Sequence, residues 1–314
     1  MIFFYMPCFE GFGSGKLASA ARHLTSRQRG VLLLLLAAAL WSSAGLFSRA
    51  VHVDTWAMQF WRAASGAAFM FAVLAFQSGR HTFRALFDIG RTGLLVVPCS
   101  AVSMVCYIAA LHLTTVAEVM IVYATQPFVN AAMAWLFLRE PMGQRTALAA
   151  LVALAGIGVT IFGGDFSGTG HQRVLGDMIA LLMVFGFSAV FIGARGHRAG
   201  SMTAVNTLAA TLSALLCLPL TAPFALAASD IAMLTAFGCL TLGLGLLLLT
   251  AGTRLIPAGE AALVTLLDVP LSPLWVWWLF GETPGASALL GGAIVLAAVV
   301  WQISGEFDGR RREA

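Results

Sequence analysis

Charge is the scarcest commodity in this chain. Only 10% of its 314 residues are Asp, Glu, Lys or Arg, where a soluble domain carries about 25%. That shortage excludes a domain wetted on all its faces. Chemistry-bearing motifs are scarce as well. The six histidines, His23, His52, His81, His112, His171 and His197, stand in tails, loops or the ends of apolar runs. No HExxH, no CxxC, no Cys/His metal spacing and no serine of the GxSxG type occurs. No GxxxxGK[ST] occurs either, so no phosphate loop is written here. The five cysteines are odd in number, and four lie inside apolar segments, which argues against a disulfide framework. These gaps weigh against an intramembrane enzyme, which needs a nucleophile with a base or a metal.

Apolar sequence is what the chain has: 60% hydrophobic residues and a mean hydropathy of +0.90. It comes in long blocks with short breaks, so the solvent for most of the chain is lipid. About 20 apolar residues span a bilayer as a helix. Ten stretches fit, at 30–49, 54–77, 92–112, 115–138, 144–163, 175–194, 202–226, 230–253, 258–280 and 285–304. Placing both termini in the cytoplasm puts fifteen of the eighteen Lys and Arg in inside segments. Only Arg49 and Arg173 then fall outside, and Arg62 lies within a span. That is the asymmetry of the positive-inside rule, and it accounts for the net charge of +4 without a nucleic acid.

A polar stripe occurs twice. Tyr123, Gln126 and Asn130 recur as Thr265, Asp268 and Ser272, each 142 residues later, at i, i+3, i+7 spacing within apolar runs. Glu118 and Glu260, Glu140 and Glu282, and Gly143 and Gly285 keep the same offset. Polar faces on membrane helices must be hidden from lipid. Two such faces point to a transporter built from repeats, with its site where the repeats meet. Five spans per half make the second half enter from the opposite side. The expected fold is therefore all-α and integral to the membrane, ten helices in two inverted five-helix repeats. Residues 1–27 read as a cytoplasmic tail rather than a signal peptide, because the apolar run Ile2–Phe9 is short and precedes the basic residues. The repeats fall at 28–163 and 175–304, joined by a polar linker at 164–174 and followed by a basic tail at 305–314.

Several short segments carry a family resemblance. They are Leu138-Arg139-Glu140 and Phe280-Gly281-Glu282, each followed by a turn and a Gly/Ala-rich helix, with Phe60-Trp61-Arg62 and Trp41-Ser42-Ser43. With these the chain resembles the drug/metabolite transporter superfamily, in its EamA-type ten-helix branch, over residues 30–304. Within it the chain looks most like YddG-type exporters of aromatic amino acids. The resemblance implies a basket-like bundle, a cavity lined by the first four helices of each half, and metabolite export with no ATP and no tightly bound cofactor. One departure is Ala147 and Ala150, where the family usually has glycine after the glutamate.

Arg62 stands about eight residues into its span. Its guanidinium could take a substrate carboxylate in a two-pronged bond, or be a structural arginine paired to carbonyls or an acid. Asp268 could meet a substrate ammonium or titrate with a proton, or pair with Arg62. Tyr123, Gln126, Asn130, Ser188 and Ser272 offer uncharged donors and acceptors, or act as interhelical glue. Thr114, Thr115 and Asn206 are weaker candidates of that kind. Trp41 and Trp61, with Ser42 beside the first, lie too deep for an interface belt and could stack on substrate or simply pack. Pro127 and Pro270 mark candidate hinges. Glu118 and Glu260 read as helix caps, and Glu140 and Glu282 as bonds to the helix starts that follow them.

One cation, one anion, several amides and two deep tryptophans suit a zwitterion with an apolar side chain. The expected function is a secondary exporter of small amphipathic metabolites, amino acids first, in the inner (plasma) membrane. Its partners are that substrate and lipid, with no nucleic acid and a monomer sufficient. The alternative within transporters is export of cationic drugs or quaternary amines. A receptor would not need duplicated polar faces.

Overall fold

A computed structural model describes residues 25–140, 142–163, 170–196 and 202–313. The expected N-terminal tail falls almost wholly outside the described residues, as do positions 164–169 of the linker. Every regular element among the described residues is helical. We number the spans α1 (Ser26–Ala50), α2 (Thr55–Phe87), α3 (Gly90–Leu113), α4 (Val116–Leu138), α5 (Gln144–Phe162), α6 (Gly170–Gly196), α7 (Met202–Cys217), α8 (Ala228–Gly252), α9 (Ala258–Thr265 and Asp268–Phe280) and α10 (Ala286–Glu313). Nine are long and apolar enough to cross a membrane, and α10 contributes a shorter apolar helix, Ala286–Gln302. Large apolar side chains such as Phe76, Leu95 and Trp278 point outward, each at least 70% exposed. Outward apolar surface on this scale needs lipid, so the chain is a multi-pass membrane protein.

The ends of the spans are set by local chemistry. Thr25 and Gln28 form a reciprocal capping box on α1, and Thr115 and Glu118 form one on α4. Asp54 accepts from Trp56 N and Ala57 N to start α2. Both α4 and α9 stop on a left-handed residue, Arg139 (φ 56°) and Gly281 (φ 69°), which stand 142 apart. Several boundaries differ from the sequence expectation, among them the end of α2, which runs past 77 through a 3-10 turn to Phe87. α7 stops at Cys217 rather than 226, because Pro219 and Pro223 confine the chain beyond it to short 3-10 turns. α6 begins at Gly170, inside the expected linker. α10 runs on to Glu313, so the expected tail starts within a helix.

The spans pair as α3 with α6, α1 with α8, α2 with α7 and α5 with α10. Glycine brings them close. A Cβ on Gly156 would stand 2.9 Å from the Gly291 carbonyl oxygen, so α5 and α10 touch backbone to backbone. Two further joints match. At Gly30 the space for a Cβ is filled by Leu255 and Ile256, and at Gly176 by Leu113 and Thr114. The fillers stand 142 apart along the chain and the glycines 146.

Candidate functional site

The two central spans are interrupted at matching positions. In α4 the first helix ends at Tyr123 and the second starts at Gln126. In α9 the first ends at Thr265 and the second starts at Asp268. Pro127 cannot donate a backbone bond to Tyr123, nor Pro270 to Leu266. Tightened turns take their place, Thr125 N to Val122 O at 3.1 Å and Val269 N to Leu266 O at 3.1 Å. The breaks place Tyr123, Gln126 and Asp268 at the broken ends.

Arg62 reaches toward this level from α2 and is only 5% exposed. Its Nη1 donates to Gln59 Oε1 at 3.3 Å, and Gln59 in turn donates to Ser213 Oγ at 2.7 Å. The guanidinium carbon lies 5.3 Å from the Tyr107 ring centre and 5.0 Å from that of Phe237. Its Nε is buried with no hydrogen-bond partner, and no carboxylate pairs with it among the described residues. A buried arginine costs several kcal/mol in hydrocarbon, and two ring faces return about 1–2 kcal/mol each when desolvated. The cation is thus partly compensated and lacks an anion.

Asp268 is its counterpart, also 5% exposed. Its Oδ1 accepts from Ser272 Oγ at 3.2 Å, and it too has no ionic partner among the described residues. Ser272 Oγ also lies 3.2 Å from the Ser42 carbonyl oxygen, and Trp275 Nε1 donates to Ser42 Oγ at 3.1 Å. These bonds tie α9 to the point where α1 bends at Ser43. Tyr107 lies within electrostatic reach of Arg62, Asp268 and Tyr123. A cation, two phenols and a carboxylate therefore share one buried core. The ion pair between Arg62 and Asp268 considered from the sequence is not formed.

Arg62, Asp268, Ser272, Ser42 and Tyr123 come together. The tryptophans are held elsewhere. Trp41 Nε1 donates to the Thr241 carbonyl at 2.8 Å, beside a π-helical turn at Cys239–Leu244 in α8. Trp61 Nε1 donates to the Pro223 carbonyl at 2.8 Å, with Phe60 and Phe224 edge-on around it. Gln126 is half-buried. Asn130 Oδ1 and the fully buried Ser188 Oγ have no hydrogen-bond partner. A groove of about 680 Å³ between α1 and α8 is lined by apolar side chains such as Leu36, Leu40, Phe47 and Leu244, with Ser43.

Gln59 and Tyr107 belong to no repeated or spaced pattern in the sequence. Gln59 sits one turn before Arg62 and orients it. Tyr107 sets its ring 5.3 Å from the Arg62 guanidinium carbon. Glu282 accepts from Val116 N at 2.9 Å and from Arg49 Nε at 2.6 Å, so it bonds the start of α4 rather than the helix that follows it. Arg49 also donates to the carbonyls of Leu111 and Thr114. Glu118 is the expected cap and also pairs with Arg173 at 2.5 Å. The duplicated glutamates held the signal, and their partners lay too far along the chain to be read.

No curated protein matches this sequence. A solved crystal structure of a protein resembles the fold at a TM-score of 0.61 and 20% identity, over 91% of this chain and 99% of that one. Residues 28–162 match the EamA-like transporter family of the drug/metabolite transporter superfamily. That stretch, which is similar to an EamA-like transporter domain, holds α1 to α5 with Arg62 and the broken α4.

Proposed function

We propose that this chain is a secondary exporter of amino acids, aromatic ones included, working by alternating access across the inner membrane. One observation carries the reading: a buried cation and a buried carboxylate share one core and do not pair with each other. A zwitterion satisfies both at once, its carboxylate on Arg62 and its ammonium on Asp268, with Tyr107 and Tyr123 between. The breaks in α4 and α9, at Pro127 and Pro270, supply the joints about which the helices rock. Gln126 and Asn130 extend the polar face below them.

The matched joints at Gly30 and Gly176, and the matched breaks, support an inverted pair of repeats with both termini in the cytoplasm. Arg49 and Arg173, the two arginines assigned to the outside, are both engaged in ion pairs at one end of the bundle. We assign that end to the outer face.

The test is uptake of labelled phenylalanine, threonine and a quaternary amine into proteoliposomes. The expected result is saturable amino acid flux, with KM raised about 10- to 100-fold in Arg62→Ala and in Asp268→Asn, the cost of one charge-assisted contact. Flux of the amine alone, indifferent to Arg62, would transfer the protein to cation export.

A further inference from the structure

At the Arg173 end two carboxylates face one cation. Glu118, on α4, is 1% exposed, and Asp177, on α6, is fully buried. Arg173 gives its guanidinium to Glu118, to the Thr160 carbonyl at 3.0 Å and to Ser287 Oγ at 3.3 Å. Thr114 stands between the acids. Its Oγ1 donates to Glu118 Oε2 and lies 3.1 Å from Asp177 Oδ1. A threonine hydroxyl carries one hydrogen and can donate it once. With that hydrogen on Glu118, the 3.1 Å contact to Asp177 is a hydrogen bond only if Asp177 supplies the proton. The second carboxylate oxygen of Asp177, Oδ2, is buried with no hydrogen-bond partner among the described residues. A fully ionised cluster would leave one net negative charge in the dry interior, and a buried unpaired charge costs several kcal/mol.

We propose that Asp177 and Glu118 form a proton-binding site whose occupancy holds this end of the bundle closed. The bound proton sits on Asp177 Oδ1 and donates to Thr114 Oγ1. Thr114 donates to Glu118, and Glu118 takes the charge of Arg173. The chain of bonds closes with one added proton, drawn from water on the Arg173 side, where that side chain is 25% exposed. Loss of the proton leaves a bare carboxylate against Glu118 and drives α6 from α4. Among the described residues the surrounding charges do not supply an alternative partner. Arg49 is held by Glu282 and by two carbonyls of the α3–α4 turn. His112 lies against the Met58 sulfur at 3.4 Å, and His171 is exposed.

The consequence for flux rests on the exporter reading, whereas the proton site does not. The experiment is therefore infrared titration of the purified protein in lipid, which needs no substrate. A carboxylic-acid C=O band is expected to appear on acidification and to shift when aspartate carries ¹³C at its carboxyl. It should persist in Asp268→Asn and vanish in Asp177→Asn. Labelled aspartate with Asp268→Asn leaves Asp177 as the one buried aspartate among the described residues, and Asp177→Glu, whose band should ignore the aspartate label, completes the assignment if Asp177→Asn does not fold. A wild-type band that ignores the aspartate label, or that disappears in Asp268→Asn, overturns the proposal. Given amino acid flux, wild-type efflux should slow as the Arg173 side is acidified. Asp177→Asn, permanently neutral, should be slow at every pH, and a wild-type pH slope in that variant would also refute the site.

Discussion

The two ends of the bundle are joined by the same parts and charged differently. At one end Arg27 meets Glu260 at 3.0 Å, with the arginine side chain 72% exposed. At the other Arg173 meets Glu118, whose side chain is 2% exposed. Glu260 follows Glu118 by 142 residues and Arg173 follows Arg27 by 146, the offsets that also relate the joints at Gly30 and Gly176. Where one end has Ile256 and Val31, the other has Thr114 and Asp177. The frame is thus common to both ends, and the polar additions belong to one. The proposed proton site consists of those additions, so the proposal distinguishes the two ends by side chain rather than by frame.

The comparison breaks most sharply at the ion pairs. Removing one partner of a buried pair strands the other, at about 3–5 kcal/mol, whereas an exposed pair contributes about 0–1 kcal/mol. Arg173→Ala should therefore depress the thermal midpoint in detergent strongly, and Arg27→Ala hardly at all. Added salt should weaken only the Arg27–Glu260 contact, since screening acts on exposed charges. Equal losses at the two ends would mean that burial does not separate them. Asp177→Asn belongs beside these variants. An amide N–H can donate to Thr114 as the protonated acid does, so its thermal midpoint should hold or rise.

The joints should behave oppositely, alike at both ends. A Cβ on Gly30 would meet Ile256 Cγ2 at 2.6 Å, and one on Gly176 would meet Leu113 and Thr114 Cβ at 2.9 Å. Overpacking of this kind costs about 1–3 kcal/mol. Gly30→Ala and Gly176→Ala should lower the midpoint by similar amounts. Gly158→Ala, with open space around it, serves as the control and should be neutral. A large loss at only one joint would end the claim of a common frame.

How much of this was legible in the sequence follows from range. Apolar runs, caps and prolines are local, so the spans, the Glu118 cap and the bends near Pro127 and Pro270 could be read from the sequence. The duplicated stripe marked Tyr123, Asp268 and Ser272, and Arg62 was marked by its depth in an apolar span. The partners were not legible, because Glu118 to Arg173 and Arg49 to Glu282 are tertiary contacts across 55 and 233 residues. Asp177 escaped notice for a related reason. Its counterpart at the other end is the apolar Val31, so repetition does not mark it. The partners of the tryptophans were no more legible. Their depth suggested a substrate role, yet both indole N–H groups are bound to backbone carbonyls of the second half.

The smallest expected effect lies at the paired helix ends. Arg139 and Gly281 close α4 and α9 with the same left-handed backbone, φ 56° and 69°. For a residue with a Cβ that conformation costs about 1–2 kcal/mol, and for glycine almost nothing. Arg139→Gly should therefore raise the thermal midpoint slightly, by about 1 kcal/mol less the entropy that glycine returns to the unfolded chain. Gly281→Arg should lower it by a similar amount. If the pair moves in these opposite directions, the two ends share their backbone and differ only in side chain. A loss in Arg139→Gly would instead give the Arg139 side chain a contact worth more than its strain, and the two helix ends would no longer be equivalent.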